Sequence, residues 1–195
     1  MHNKKNEIKV ASDYWESLTV ARDLEENGVD TLYGYYGENE EYRVAFSNNT
    51  SYLYEVAHIK ESLTKGPMNF ALFLVDINGL KKVNDVYGHQ FGNKLIVETT
   101  NILVQVFGHD NVYRIGGDEF SVILKNTTEE FCQTLVERFY KEIAEKMQDI
   151  KISVAMGFGN YDSAIDESYE SFFKRIDEEM YHNKKKMKAL GEILN

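Results

Sequence analysis

The sequence has a single cysteine, a single proline and no long apolar run. One cysteine, Cys132, excludes an intrachain disulfide and favours a reducing, cytoplasmic compartment. One proline, Pro67, argues against a long flexible linker. Because no run of about 18 apolar residues occurs, the sequence predicts no membrane-spanning segment. The polar first residues also lack the apolar stretch of a signal peptide.

Basic residues are also scarce: 22 Lys and Arg stand against 32 Asp and Glu, which gives a formal net charge of −10. Nucleic acids and anionic membranes select basic surfaces, so this charge argues against a general binder of either. The hydrophobic content of 43% is ordinary for a globular protein, and 195 residues allow one or two domains.

Residues 1–48 are predicted to form an appendage. A helix is expected from about residue 12 to residue 26, and a strand, a turn and a second strand follow between residues 31 and 46. A segment of this size is too small to bury a core of its own. We therefore interpret residues 1–48 as a helix plus β-hairpin, an appendage or the remnant of an upstream sensor region, and residues 49–195 as the main domain.

Phe70–Val75 is a continuous apolar run, which predicts a central strand that is buried on both faces. The run stops at Asp76. An acidic residue at the end of a buried strand lies at the edge of the sheet, where open sheets bind ligands. The alternative is that Asp76 caps a helix that starts near Gly79-Leu80.

A break between two predicted helices gathers three polar side chains. Gly88 ends a short helix and Gly92 lies at the start of the next one, so Asn84, His89 and Asn93 cluster around the break. Their fixed donors and acceptors suit recognition of the edge of a base. Ordinary capping and loop chemistry is the alternative, since Asn is common in both.

The most informative stretch is Tyr113–Leu124. An apolar run leads into Gly116-Gly117, the acids Asp118-Glu119 follow, and a second alternating run leaves. Two glycines can adopt positive φ, so the pattern predicts a β-hairpin with a tight turn. Two adjacent carboxylates beside bare backbone can hold a hard cation and the phosphates that it bridges. A solvated acidic turn is the alternative.

The last predicted helix begins near Ser168 and ends in a basic cluster that includes Lys184 and Lys188. Basic residues at the C-terminal end of a helix usually complement the helix dipole. Next to a phosphate site in an acidic protein, a lysine can also bind phosphate as a point charge.

Together these motifs resemble the GGDEF domain, the catalytic domain of diguanylate cyclases, from about residue 49 to residue 195. The motifs occur in the family's order: Asp76-Ile-Asn-Gly-Leu-Lys81, Asn84-Asp-x-Tyr-Gly-His89-x-x-Gly92, Arg114-x-Gly-Gly-Asp-Glu-Phe120, Val154-Ala-Met-Gly157 and Asp177-x-x-Met-Tyr-x-x-Lys184. Each motif is weak alone, but their joint order and spacing are specific.

The resemblance implies an α+β fold, a nucleotide-cyclase or polymerase-palm-like central sheet of five mostly antiparallel strands flanked by helices. It also implies a reaction in which two GTP molecules, one in each of two facing domains, condense to cyclic di-GMP and two pyrophosphates. Each 3′-hydroxyl attacks the α-phosphorus of the other nucleotide. GTP and a second copy of the chain are therefore the implied partners.

The resemblance further implies residue roles. Asp76, Asp118 and the backbone carbonyl of Ile77 are the implied ligands of Mg²⁺ or Mn²⁺. Asp118 or Glu119 is the implied base for the 3′-hydroxyl, and Lys81 joins the catalytic set through phosphate contact. The implied substrate-binding residues are spread along the domain: Asn84, His89, Asn93, Gly116, Gly117, Lys184 and Lys188.

The sequence departs from the family pattern in four places. Asn93 stands where Asp is usual, and Lys188 stands where Arg is usual. Phe107 replaces the Arg of a product-inhibition motif that ends at Asp110. The family's opening motif is not recognisable between residues 46 and 54. These departures leave a second interpretation, a degenerate GGDEF module that binds GTP or another nucleotide as a sensor or dimerisation domain with little turnover.

Overall fold

The computed structural model describes residues 49–146 and 153–190, so the appendage predicted for residues 1–48 lies outside it. None of the helices in these ranges has the length and apolarity needed to cross a bilayer. The elements in chain order are α1 (Asn49–Lys65), β1 (Phe70–Ile77), α2 (Leu80–Tyr87), α3 (His89–Phe107), a 3₁₀ turn (His109–Asn111), β2 (Val112–Arg114), β3 (Glu119–Lys125), α4 (Glu129–Lys146), β4 (Val154–Asn160) and α5 (Tyr169–Ala189).

The strands form one antiparallel sheet in the order β2-β3-β1-β4. This confirms the expected α+β, palm-like architecture, although the sheet has four strands within residues 49–146 and 153–190 rather than the five expected. β1 is central and pairs with a neighbour on each side. Its end therefore lies between the β2–β3 hairpin and the start of β4.

Helices cover both faces of the sheet, which explains the unbroken apolar run in β1. Side chains on a strand point alternately to the two faces. Phe73 and Val75 pack into a core shared with α2, α3 and α4, whereas Phe70 and Leu72 pack into a core shared with α1 and α5. Asp76 is enclosed with them at 5% exposure. A carboxylate buried this deeply needs a partner charge.

The start of α5 is fixed by an ion pair. Asp166, 2% exposed, accepts hydrogen bonds from Arg175 Nε at 2.9 Å and from Arg175 Nη2 at 2.6 Å. The same Nη2 donates to the Asn160 carbonyl oxygen at 2.9 Å. Arg175 therefore ties the end of β4 to the loop before α5, which sets the direction in which α5 crosses the sheet.

The backbone of α5 also lies unusually close to β4. A Cβ atom placed on Gly157 would lie 3.0 Å from the Cα of Met180 and closer still to the backbone of Ile176. Only glycine fits between the strand and the helix at this point. The contact fixes the distance between the sheet and the helix that carries Lys184.

Two side chains singled out in the sequence belong to the core. Cys132 is fully buried, and burial raises the pKa of its thiol. Phe107 is 4% exposed, with its ring centroid 4.9 Å from that of Phe73 and 6.2 Å from that of Phe139. The position at which the family pattern has an inhibitory Arg is therefore part of the apolar core here.

Candidate functional site

The acids at the end of β1 and at the tip of the β2–β3 hairpin lie side by side. Asp76 is the direct cross-strand neighbour of Glu119. The Ile77 N–H donates to the Asp118 carbonyl oxygen at 3.0 Å. The structure thus brings Asp76, Asp118 and Glu119 together in what we name the acidic edge. Their chemical roles stay a prediction.

Arg114 holds the hairpin tip in place. Its Nε donates to the Gly116 carbonyl oxygen at 3.0 Å and its Nη2 to the Gly117 carbonyl oxygen at 2.6 Å. The N–H groups of Ile115 and Gly116 donate to the Glu119 carbonyl oxygen at 3.0 and 3.2 Å. No role was predicted for Arg114, and only its place two residues before the glycine pair could have indicated one. These hydrogen bonds fix the turn that presents the two acids.

The glycines of this turn serve a purpose other than the one predicted. Neither Gly116 nor Gly117 has positive φ, so the expectation of a left-handed backbone was wrong. A Cβ atom on Gly116 would lie 2.7 Å from Glu119 Oε2, while Gly117 has open space around it. The Glu119 carboxylate therefore folds back over Gly116, and a larger residue at position 116 would displace it.

Lys184 is paired with the deepest of the acids. Its ammonium nitrogen lies 2.8 Å from each carboxylate oxygen of Asp76. The pair supplies the counter-charge that the buried carboxylate needs. Lys184 was predicted to contact the substrate phosphates, whereas the structure pairs it with Asp76, the candidate metal ligand. Its ammonium group stands in for a cation at this carboxylate.

Negative charge is concentrated at the acidic edge. Burial raises the pKa of Asp76, and the charge of Asp118 adds to that effect, while the hydrogen bond and charge of Lys184 offset part of it. Partial burial, followed by the charges of Asp118 and Asp76, raises the pKa of Glu119. A bound divalent cation would offset this electrostatic repulsion between the carboxylates.

The helix break predicted at Gly88 is present, with Gly88 at φ 85° between α2 and α3. The Asn84 side chain lies against the first turn of α3, because a Cβ atom on Gly92 would lie 2.8 Å from Asn84 Cγ. The buried Asn84 Oδ1 has no hydrogen-bond partner within the described ranges. Since an unpaired buried oxygen costs stability, Asn84 is a candidate ligand-binding group.

The remaining predicted residues are solvent-facing. His89 and Asn93 are exposed and four residues apart near the start of α3, so they share one face of that helix. Lys81 and Lys188 are exposed as well. Neither lysine forms a hydrogen bond or an ion pair with the acidic edge in residues 49–146 and 153–190. Among the lysines that the structure describes, only Lys184 contacts the acids directly.

Sequence reasoning missed Asn78, which directly follows Ile77. Its side chain is 4% exposed and donates to Ser153 and to Met187. Because both partners come from distant parts of the chain, no local pattern indicates these contacts.

The donor set at the acidic edge fits a hard divalent cation. Asp76 and Asp118 offer carboxylate oxygens and Ile77 offers a carbonyl oxygen, and Mg²⁺ and Mn²⁺ prefer oxygen ligands. In the part of the chain that the structure describes, no three His, Cys, Asp or Glu side chains gather as a metal-binding group. A cation here therefore needs further oxygens from phosphates or water, which is usual for Mg²⁺.

Residues 46–189 match the family model described as "Diguanylate cyclase, GGDEF domain". The chain is 32% identical over 120 residues to the bifunctional diguanylate cyclase/cyclic di-GMP phosphodiesterase MucR of Pseudomonas aeruginosa, which covers 59% of this chain and 17% of that protein. It is also 32% identical over 120 residues to diguanylate cyclase A of Treponema denticola, which covers 58% of this chain and 32% of that protein. The chain thus spans a minor part of both curated relatives.

Solved structures show the same fold. The GGDEF domain of DgcB from Caulobacter crescentus, in complex with c-di-GMP, matches with a TM-score of 0.63 at 24% identity, covering 72% of this chain and 86% of that one. Diguanylate cyclase SiaD from Pseudomonas aeruginosa, in complex with its activator SiaC, matches with a TM-score of 0.65 at 19% identity, covering 87% and 64%. At these identities the likeness shows the fold alone.

Proposed function

The chain belongs to the GGDEF family, and on this premise we propose that it is a diguanylate cyclase that condenses two GTP molecules to cyclic di-GMP and two pyrophosphates. The observation that carries the proposal is the acidic edge, where Asp76 and Glu119 are cross-strand neighbours and Lys184 lies against them. Phosphoryl transfer depends on positioning and on charge neutralisation. The carboxylates of the acidic edge could position a divalent cation, and the cation together with Lys184 could neutralise the charge of the phosphates.

The proposed roles follow the donor chemistry. Asp76, Asp118 and the Ile77 carbonyl would hold Mg²⁺ or Mn²⁺, which neutralises charge developing on the phosphates when it is bound. Asp118 or Glu119 takes the proton of the 3′-hydroxyl. A bond then forms between the 3′-oxygen and the α-phosphorus of the other nucleotide, and pyrophosphate leaves with the electron pair of the bond that breaks.

The substrate contacts are assigned by donor and acceptor type. Asn84, His89 and Asn93 would bind the guanine base and the ribose, because they surround the break between α2 and α3. The unpaired Asn84 Oδ1 lies buried against Gly92, so the Asn84 side chain would turn toward the ligand donor that satisfies it. Gly117 has open space around it, so phosphates would lie there, beside the Gly116-Gly117 backbone. Lys81 and Lys188 would contact them as positive charges, and Lys184 would join them once a bound cation replaces it at Asp76.

A single chain offers one acidic edge within the described ranges, and the reaction uses two nucleotides. We therefore propose that two chains face each other and that each holds one GTP. The homodimer is then the catalytic unit, and a monomer binds substrate without turnover.

A nucleotide sensor with little turnover is the second candidate, and Asn93 favours it. Asp offers only acceptors and pairs with two donors on the guanine edge, whereas Asn offers one acceptor and one donor. The absence of the family's opening motif points the same way. The two candidates differ in whether product appears, and the acidic edge favours the enzyme.

The deciding experiment is product analysis. The protein is incubated with GTP, and separately with ATP, in the presence of Mg²⁺ or Mn²⁺, and the nucleotides are separated by chromatography. We expect cyclic di-GMP from GTP, one pyrophosphate per GTP consumed, and no product after EDTA is added. GTP that binds, shown by equilibrium dialysis, but is recovered unchanged would assign the sensor instead.

Base discrimination should be weak in this protein and improve in Asn93→Asp. An amide cannot accept two guanine protons at once, and a mismatched polar contact costs about 1–3 kcal/mol, roughly tenfold to a hundredfold in selectivity. ITP lacks the guanine 2-amino group, so the ratio of kcat/KM for GTP to that for ITP reports the contact. We expect this ratio to rise in Asn93→Asp.

The matched control for that variant is Asn101→Asp, which adds the same charge two turns further along α3. Its GTP/ITP ratio should equal that of the parent protein. A ratio that stays constant or falls in Asn93→Asp would show that residue 93 does not contact the base.

Product inhibition through the family's usual inhibitory site should be absent. That site uses an arginine guanidinium to bind phosphate and guanine, and Phe107 stands in its place with its ring buried against Phe73. Asp110 remains and its side chain is exposed. We expect cyclic di-GMP added to the assay to cause no strong inhibition through this site. Tight non-competitive inhibition that disappears in Asp110→Ala would contradict the prediction.

A further inference from the structure

Asn78 connects three segments of the chain directly behind the acidic edge. Its backbone N–H donates to the Ser153 carbonyl oxygen at 2.9 Å. Its Nδ2 donates to Ser153 Oγ at 3.0 Å and to Met187 Sδ at 3.5 Å. Ser153 directly precedes β4, and Met187 lies near the end of α5. A side chain that is 4% exposed thus ties the end of β1 to β4 and to α5.

The first consequence concerns the backbone between Asp76 and Asn78. The Ile77 N–H donates to the Asp118 carbonyl oxygen at 3.0 Å, and the Asn78 N–H donates to Ser153. The peptide group that contains the Ile77 carbonyl therefore has its own N–H, that of Asn78, anchored to Ser153. Because a peptide group is planar, a fixed N–H also fixes the direction of the carbonyl oxygen. The hydrogen bond from Asn78 Nδ2 to Ser153 Oγ holds Ser153 beside this peptide group, and it is the part of the tie that Asn78→Ala removes.

The second consequence concerns Lys184. Two side chains at the end of β1 contact α5: Asn78 contacts Met187, and Asp76 contacts Lys184. Lys184 and Met187 are three residues apart in α5, so they lie on the same side of the helix. Asn78 therefore helps to fix the rotation of α5 and, with it, the place from which Lys184 reaches Asp76.

The amide is not the choice that stability alone would favour. Asn78 Oδ1 is buried and has no hydrogen-bond partner within the described ranges. A buried acceptor that stays unpaired destabilises the fold, and an apolar side chain would avoid that loss. An apolar side chain, however, could not donate the hydrogen bonds that Asn78 Nδ2 makes to Ser153 and Met187.

We propose that Asn78 is a positioning residue for the divalent cation, acting through Ser153 on the peptide group that carries the Ile77 carbonyl. The inference rests on the proposed function, because it takes Asp76, Asp118 and Ile77 as the metal ligands. Residues that orient metal ligands without touching the metal commonly change its affinity by about tenfold to a hundredfold when they are removed.

The test measures metal affinity without turnover. The protein is titrated with Mn²⁺ alone, and free Mn²⁺ is followed by its electron paramagnetic resonance signal. We expect Asn78→Ala to raise the Kd for Mn²⁺ at least about tenfold. Ser153→Ala removes only the hydroxyl acceptor of the tie, so we expect a smaller rise in the same direction. This second variant also decides the question if Asn78→Ala does not fold.

Asn160→Ala is the matched control. Asn160 is a partly buried amide whose Nδ2 donates to a backbone carbonyl, that of Thr127, at 3.2 Å, and whose Oδ1 is unpaired within the described ranges. It pairs with Ala71, at the end of β1 opposite to Asp76. Its removal should lower the Tm without changing the Kd for Mn²⁺.

The outcomes separate the inference from the proposed function. If the parent protein binds Mn²⁺ and Asp118→Asn weakens that binding, while Asn78→Ala and Ser153→Ala bind as the parent does, Asn78 is only structural and the inference is overturned. If the parent protein does not bind Mn²⁺, or Asp118→Asn leaves binding unchanged, the assigned metal site fails and the inference fails with it.

Discussion

Asp118→Asn should abolish formation of cyclic di-GMP. The substitution removes one of the two carboxylates assigned to the metal and leaves the hairpin backbone, including the bond between the Asp118 carbonyl and the Ile77 N–H, in place. If the metal stabilises the transition state by about 4 kcal/mol, losing it lowers the rate about a thousandfold. The rate is measured as product formed from GTP and Mg²⁺ at saturating substrate.

Asp110→Asn is the matched control for that experiment. Asp110 is an exposed acid in the 3₁₀ turn before β2, and its neutralisation changes the net charge by the same amount. Its activity should equal that of the parent protein. The role assigned to Asp118 would be wrong if both variants were equally active, or if they lost activity to the same extent.

Gly157→Ala should destabilise the fold more than other single-methyl additions on β4. The new Cβ would meet the backbone of α5 at Ile176 and Met180, and backbone atoms cannot rotate away as side chains can. Overpacking a core typically costs about 1–3 kcal/mol, and a backbone clash lies at the upper end. In a domain of this size the Tm should fall by roughly 6–12 °C. Thermal unfolding followed by circular dichroism measures the change.

Gly159→Ala provides the comparison on the same strand. A Cβ atom there would lie 2.9 Å from Ile176 Cδ1 and 3.2 Å from Arg175 Nη1, which are the far ends of flexible side chains. These groups can move, so the Tm should change by much less than in Gly157→Ala. Equal changes in the two variants would show that the close approach of α5 to β4 does not control stability.

The sequence predicts the elements whose patterns are local. The continuous apolar run predicted the buried β1, because a strand that is covered on both faces has apolar residues at successive positions. Gly88 predicted the break between α2 and α3 for a similar reason, since a single residue ends the helix. The association of Asp76 with the hairpin acids was implied by the family resemblance rather than by a local pattern, and the register of β1 with β3 places Asp76 opposite Glu119.

Features that depend on contacts between distant residues could not be predicted. Lys184 pairs with Asp76 and does not point toward a phosphate site. The reason is the close approach of α5 to β4 at Gly157, which brings Lys184 to the Asp76 carboxylate. Phe107 was recognised as a substitution, but only packing against α4 shows that its side chain points into the core. Asn78 was missed because its partners, Ser153 and Met187, are remote in sequence.

We propose that each chain holds one GTP and that two chains make the product together. The most direct measurement is the specific activity per chain, with saturating GTP and Mg²⁺, as the protein is diluted through the concentration at which the dimer dissociates, determined in parallel by analytical ultracentrifugation. We expect the activity per chain to fall in proportion to the fraction of dimer. An activity per chain that stays constant after the dimer has dissociated would contradict it.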